Sequence, residues 1–183
     1  MDVINAIQKR RSVRTFDYER PVNDADIMKI LEAGRLAPSW KNHQPWRFVV
    51  VRSAEGRAAI ADCLSEGNPA RTAIRHASAV LVLLGVPEEG EVHQEKSFYL
   101  VDCGISGENM YLEAVELGLS AVWVSLLDGP GVCRSVGAPE GWECVGVFPI
   151  GYALPEEEAK PRRPRRPLGE VAFLEKVGQA FQY

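Results

Sequence analysis

The sequence predicts a single layered domain of helices and strands in which a small sheet of buried strands is covered by helices on both faces. Two observations carry this. Four short runs, Arg47–Val51, Ala79–Leu84, Ala121–Val124 and Val145–Ile150, are mostly continuous in apolar residues rather than alternating, as expected of strands covered on both sides. Helical periodicity appears before the first run and, most strongly, between the second and third. At 183 residues the chain is long enough for one sizeable core and short for two, so residues 1–183 read as one domain.

The first helix is expected over residues 2–10, with Val3, Ile4 and Ile7 as its apolar stripe. Asn23 is a good N-cap for a second helix lined by Ile27, Ile30, Leu31 and Gly34 and stopped by Pro38. Pro149 lies within the last apolar run, which places that stretch at a sheet edge or at the strand's end. The longest helix is expected from about His93 to Leu117. Asp102, Ser106, Asn109, Glu113 and Glu116 recur in it at intervals of three and four and form one polar stripe, so most of the remaining circumference is buried. Gly104 and Gly107 weaken that helix, and close approach of another backbone would compensate. The pattern fits either a central core helix or one at a subunit interface. From Ala153 onward the composition changes. An acidic Glu156–Glu158 precedes Pro161–Pro167, PRRPRRP, and the apolar Val171, Phe173, Leu174 and Val177 follow, so 153–183 reads as an extended C-terminal arm.

Composition excludes several classes. A formal net charge of -4 does not favour nucleic acid or an anionic membrane. No apolar stretch is long enough to span a bilayer and the first residues lack the apolar run of a signal peptide, so a soluble cytoplasmic protein is expected. Cys63, Cys103, Cys133 and Cys144 form no C-x-x-C pair and read as reduced core residues; His43, His76 and His93 have no metal-ligand spacing, so no metal is expected.

Four clusters carry candidate chemistry. Arg10, Arg11, Ser12 and Arg14 could hold a phosphate in guanidinium forks, or could only complement the C-terminal end of a helix dipole. In the loop Pro38-Ser39-Trp40-Lys41-Asn42-His43-Gln44-Pro45-Trp46, the neutral donors and acceptors Ser39, Asn42 and Gln44 could read the amide-like edge of a flat heterocycle, or bond their own turn. Trp40 could stack on a ligand, whereas Trp46 enters a strand and suits the core. Gly118–Asp128 ends a helix, makes a buried strand and leaves it in a loop, where the backbone N–H groups of Ser125 and Leu126 could face a ligand. Arg163 and Arg165 in the proline-rich segment belong to a solvated linker or to a phosphate site.

Taken in order, these blocks resemble the nitroreductase family of flavoproteins over nearly the whole chain. The opening R-R-S-V-R-x-F, the segment A-P-S-x-x-N-x-Q-P-W, the helix D-x-G-x-x-x-x-N-M-x-L-x-A-x-x-x-G-L at Asp102–Leu119, the strand V-x-V-F-P-I-G-Y and the late R-R-P-L carry it. The resemblance implies an α+β sandwich, with a central mixed sheet of four to five strands flanked by helices, in an intertwined homodimer with FMN at the interface. By position, Arg10, Ser12, Arg163 and Arg165 would hold the FMN phosphate with Arg11 nearby, and Arg14 would lie near the pyrimidine end of the ring. Pro38, Ser39 and Trp40 would come from the other subunit, with Asn42 and Gln44 supporting that wall. Ser125 and Leu126 would present backbone toward flavin N5. Asn68 is the candidate for reading the ring edge. The implied reaction passes hydride from NADH or NADPH through the flavin to a nitroaromatic or quinone in ping-pong order, with no side-chain catalytic residue, because the cofactor carries the chemistry. The same scaffold is also compatible with dehalogenation, enoate reduction or flavin breakdown, or with a non-catalytic flavin-binding dimer.

Overall fold

The computed structural model describes residues 2–181; residues 182 and 183, the end of the expected arm, lie outside them. In chain order the elements are α1 (Val3–Lys9), α2 (Asp24–Arg35), β1 (Trp46–Val51), α3 (Ala54–Asp62), α4 (Arg71–His76), β2 (Ala79–Gly85), β3 (Val92–His93), β4 (Lys96–Ser97), α5 (Tyr99–Glu116), β5 (Ser120–Ala121), α6 (Gly129–Ser135), β6 (Glu143–Gly151) and α7 (Pro155–Ala159). The main sheet has the order β1-β2-β6-β5 and its ladders are antiparallel; the parallel component of the expected mixed sheet is one isolated bridge, Ser12 to Ala121.

Alternation along the strands gives the sheet two apolar faces, as the near-continuous apolar runs require. Leu81, Leu83, Phe148 and Ile150 pack with α2 and α5, whereas Val80, Val82, Leu84 and Val147 pack with Ile60, Ile74 and Val132 from α3, α4 and α6. Pro149 sits near the end of β6, but β6 is an inner strand. Val124 and Val147 exchange both backbone hydrogen bonds, so the odd residues of β6 turn their N–H groups toward the β5 side. The nitrogen of Pro149, which has no hydrogen, therefore faces the break between Ala121 and Val124. For the same reason the run expected over 121–124 is a two-residue strand followed by a single bridge.

Asn23 caps α2 as expected, its side chain accepting from the Asp26 N–H. The long helix begins at Tyr99, six residues after the expected start, because a tight hairpin joins β3 to β4 with Gln94 and Glu95 at positive φ. The first half of its polar stripe also differs from expectation by facing inward, whereas Glu116 at the other end is exposed. Asp102 and Ser106 are buried; Ser106 Oγ donates to the Gly34 carbonyl at 3.0 Å and Asn109 Nδ2 to the Ala33 carbonyl at 3.3 Å. The last carbonyls of α2 need partners that the helix itself cannot supply, and α5 supplies them. The outer face of α5 is apolar: Leu100, Val101 and Ile105 are exposed, as are Val3, Ile4 and Ile7 on α1, whose only buried residue is Ala6. No helix among the described residues is long and apolar enough to cross a membrane.

Candidate functional site

The arginine-rich segment leaves α1 at Arg10 and runs on in extended form, with the Val13 N–H donating to the Ala121 carbonyl at 2.9 Å. The Tyr111 hydroxyl, from α5, sits between the carbonyls of Arg11 and Ala121 and pins the segment to the sheet. Extended chain alternates its side chains. Arg10, Ser12 and Arg14 therefore share one side, and Arg11 and the fully buried Val13 share the other. Arg10 lies 4.9 Å from the Tyr111 ring centroid and 3.5 Å from a Glu108 oxygen. Burial raises the Glu108 pKa, and the charge of Arg10 opposes that rise. Arg14 is exposed and has no intrachain partner among the described residues.

The proline-rich tail reaches this same place. Arg162 donates to the carbonyls of Lys9 and Arg10, satisfying the C-terminal end of α1, and Arg11 Nη2 donates to the Lys160 carbonyl at 2.9 Å. Two stretches some 150 residues apart in sequence are thus joined through five basic residues. Lys9, Arg11, Lys160 and Arg162 line a cavity of about 410 Å³ together with Glu116. Arg163 and Arg165 follow immediately and are exposed, with Arg165 Nη1 donating to the Arg163 carbonyl at 3.5 Å. Arg11 therefore sits on the opposite side of the segment from Arg10, Ser12 and Arg14. Arg162, which sequence reasoning passed over, makes the junction; its nearness in sequence to Arg163 was the available signal.

The loop after α2 is conformationally unusual. Lys41, Asn42 and Gln44 all have positive φ, a backbone state that costs non-glycine residues free energy and that clusters at functional sites. Ser39 Oγ accepts from the Gln44 N–H at 2.9 Å and Gln44 Nε2 donates to the Asn42 carbonyl at 3.2 Å, so these two polar groups stabilise their own turn. Pro38 and Asn42 are exposed, and Trp46 is buried in the core as expected. Trp40 packs on Phe98, with ring centroids 4.4 Å apart, and its N–H donates to Asp102 Oδ1 at 3.1 Å.

The third wall is the loop after β5. Trp123 Nε1 donates to Ser125 Oγ at 2.6 Å, and that hydroxyl donates to the Val145 carbonyl at 3.0 Å. Ser125 and Leu126 are exposed, and among the described residues neither backbone N–H donates within the chain. Asn68 Nδ2 donates to the Leu126 carbonyl at 3.3 Å, so the amide suggested for the ring edge stands beside this loop.

Chemically the region offers cations, free backbone donors and neutral polar groups. Burial, and then the charge of Asp102, push the Cys103 thiol up to about 12; burial, with smaller effects from Cys133 and Cys63, does the same for Cys144. Among the described residues no group of three His, Cys, Asp or Glu side chains is disposed to hold a metal ion. Such a site can bind an anionic, planar ligand and tune it, while the nucleophiles stay neutral.

Comparison with known proteins agrees with this geometry. A protein of Methanothermobacter thermautotrophicus, provisionally named NADH dehydrogenase/NAD(P)H nitroreductase, is 31% identical over 156 residues, covering 83% of this chain and 78% of its own. The 5,6-dimethylbenzimidazole synthase of Rhodospirillum rubrum is 28% identical over 190 residues, covering 87% and 88%. A solved nitroreductase-type structure from Desulfovibrio desulfuricans, in complex with FMN, superposes with a TM-score of 0.80 at 26% identity, covering 97% and 98%. The family model described as Nitroreductase family matches residues 7–74 and 70–152. Antiparallel sheet, central helix and arginine segment thus come together in one assignment: the chain belongs to the nitroreductase family.

Proposed function

We propose that the chain is an FMN-dependent oxidoreductase that passes hydride from NADH or NADPH to an organic acceptor such as a nitroaromatic or quinone. The observation that carries this reading is the junction of the N-terminal arginine segment with the proline-rich tail through Arg162 and Arg11. It brings the stretch that carries Arg10 and Ser12 against the stretch that carries Arg163 and Arg165, which supports a phosphate site drawn from both. The residues present fit the cofactor: among the described residues Arg14 is an exposed cation with no intrachain partner, and the Ser125 and Leu126 N–H groups donate to no group of the chain.

Arg10 and Ser12, with Arg163 and Arg165, would hold the phosphate by charge-assisted hydrogen bonds. Arg14 would place positive charge where reduction adds negative charge, favouring the reduced form. The Ser125–Leu126 backbone would face N5, with Asn68 beside it. Pro38, Ser39 and Trp40 would close the site from a second copy, with Asn42 and Gln44 behind them. The exposed apolar residues of α1 and α5 support a homodimer, because a single chain leaves them in water. FMN, when bound, would supply the redox chemistry for a ping-pong reaction between the nicotinamide and the acceptor, while these residues would hold and orient it.

The test is an absorption spectrum of the pure protein followed by anaerobic titration with each nicotinamide. Yellow protein bleached by NADH or NADPH supports the proposal. Yellow protein that stays oxidised supports a non-catalytic flavin-binding dimer, and colourless protein that takes up no added FMN refutes both. The dimethylbenzimidazole synthase relative favours a second reading, in which the scaffold breaks down flavin; acceptor turnover without loss of flavin excludes it.

A further inference from the structure

We propose that Asp102 is a positioning residue for the flavin wall: its carboxylate fixes the Pro38–Trp46 loop in the conformation that faces the cofactor. The inference rests on the FMN reading above and extends it to a residue that touches no ligand in that reading.

Asp102 is 3% exposed, in the first turn of α5. Its Oδ1 accepts from the Trp40 N–H at 3.1 Å, while Oδ2 has no hydrogen-bond partner among the described residues. A buried carboxylate with one oxygen unsatisfied is costly, and core packing alone would be served better by an apolar side chain. What the carboxylate does supply is an acceptor at one specific amide, at the head of the turn in which Lys41, Asn42 and Gln44 hold positive φ. Within the turn, the Asn42 N–H donates to the Ser39 carbonyl at 3.0 Å, the His43 N–H to the Trp40 carbonyl at 3.0 Å, and the Gln44 N–H to Ser39 Oγ. From outside it, Lys41 Nζ donates to Glu91 Oε2 at 2.9 Å, the Val86 N–H donates to the Pro45 carbonyl at 2.7 Å and the Trp40 ring packs on Phe98, but none of these holds the main chain at the head of the turn. Asp102 ties it to the central helix 62 positions away.

Ser106, one turn further along the same inward stripe, provides the comparison. It also bonds a carbonyl of the α2 end, and it is fully buried, but it does not reach the loop.

The experiment compares Asp102→Ala, Asp102→Asn and Ser106→Ala with the wild type. The measurements are FMN affinity by fluorescence quenching, melting temperature of the apoprotein, and amide hydrogen exchange across residues 39–44. Asp102→Ala is expected to weaken FMN binding at least tenfold and to lose exchange protection at the Trp40 amide. Asp102→Asn keeps an accepting oxygen and is expected to bind FMN within threefold of the wild type with that protection retained. Ser106→Ala is expected to lower the melting temperature and leave FMN affinity unchanged. The proposal is overturned if Asp102→Ala binds FMN like the wild type, if Asp102→Asn fails as badly as Asp102→Ala, or if Ser106→Ala weakens binding equally. If Asp102→Ala does not fold, Asp102→Asn decides: exchange protection at the Trp40 amide and FMN affinity must be kept or lost together, and a change in one without the other overturns the proposal. A wild type that takes up no FMN overturns the cofactor reading itself, and the exchange pattern in the apoprotein then shows separately whether Asp102 holds the loop.

Discussion

Replacing either glycine of α5 by alanine tests whether the packing beside the Ser125 loop is as tight as the structure indicates. A Cβ on Gly107 would lie 2.5 Å from Trp123 Cζ3 and 2.7 Å from Cη2. The indole cannot retreat freely, because a Cβ at Gly146 would lie 2.5 Å from its Nε1 and the Phe148 ring centroid is 4.8 Å from its own. Forcing a methyl into such a contact costs about 1–3 kcal/mol, against about 1 kcal/mol gained from helix propensity. Gly104, one turn earlier, meets nothing within 4 Å, so Gly104→Ala keeps the propensity gain. The two variants should therefore differ in stability by about 1–3 kcal/mol, which for a chain of this size is a melting-temperature gap of about 2–12 °C. Differential scanning calorimetry of both proteins measures it. Gly107→Ala should also bind FMN more weakly, because the indole N–H positions Ser125 Oγ. The reasoning is refuted if Gly107→Ala melts at or above Gly104→Ala. A Gly104→Ala that melts low and sediments as a smaller species would instead place the close approach on the outer face, at the second copy.

Three further outcomes are expected. Arg163→Ala with Arg165→Ala should weaken FMN binding by about 10- to 150-fold, corresponding to about 1.5–3 kcal/mol for a charged contact, with the circular dichroism spectrum unchanged; equal affinity would make the tail a linker. Ile105→Glu puts a charge on the apolar outer face of α5, and sedimentation should show loss of the dimer; wild-type behaviour would move the interface elsewhere. Cys103, pushed up to about 12 chiefly by burial, is about one part in ten thousand thiolate at pH 8, so iodoacetamide should label it only after unfolding, as read by peptide mass spectrometry. Because the folded thiols of Cys103 and Cys144 titrate above the unfolded value of roughly 8.5, their contribution to stability is complete below that pH and declines as pH rises toward about 12. A melting temperature that climbs over this alkaline range would contradict the assignment.

Elements whose burial is set by local pattern were legible in the sequence. The α2 cap at Asn23, β1 and β2 follow from a capping residue and from continuous apolar runs, and each stands within a residue or two of expectation. Boundaries set by tertiary geometry were not. Nothing in His93–Phe98 marks it as non-helical until Gln94 and Glu95 take positive φ, and the two-residue length of β5 depends on the missing N–H of Pro149 in a strand 30 positions away. In the site, Arg10, Arg11, Ser12 and Arg14 could be read as one cluster because they lie within five residues of each other. That Arg11 faces the other way follows only once the segment is known to be extended. Tyr111 and Arg162 act through main-chain carbonyls, which leave no mark on residue type.

The orientation of α5 links these findings. A helix with one polar stripe is ordinarily wetted on that stripe and dry elsewhere. Here the polar residues turn inward because three backbone groups, the carbonyls of Ala33 and Gly34 and the N–H of Trp40, end in the interior and require partners. Meeting that requirement turns Asp102, Ser106 and Asn109 inward and leaves Leu100, Val101 and Ile105 outside, beside the exposed Glu108. The mostly apolar exterior is therefore the side of the helix opposite the one that fastens the loop. If a second copy covers it, as proposed, the same helix carries the subunit contact on one face and fastens the cofactor wall on the other. Dimer dissociation and FMN release should then be coupled. Ile105→Glu would weaken FMN binding although Ile105 touches no part of the site, and adding FMN to that variant would restore the dimer in sedimentation. Full FMN affinity in a monomeric Ile105→Glu would show that the two faces act independently.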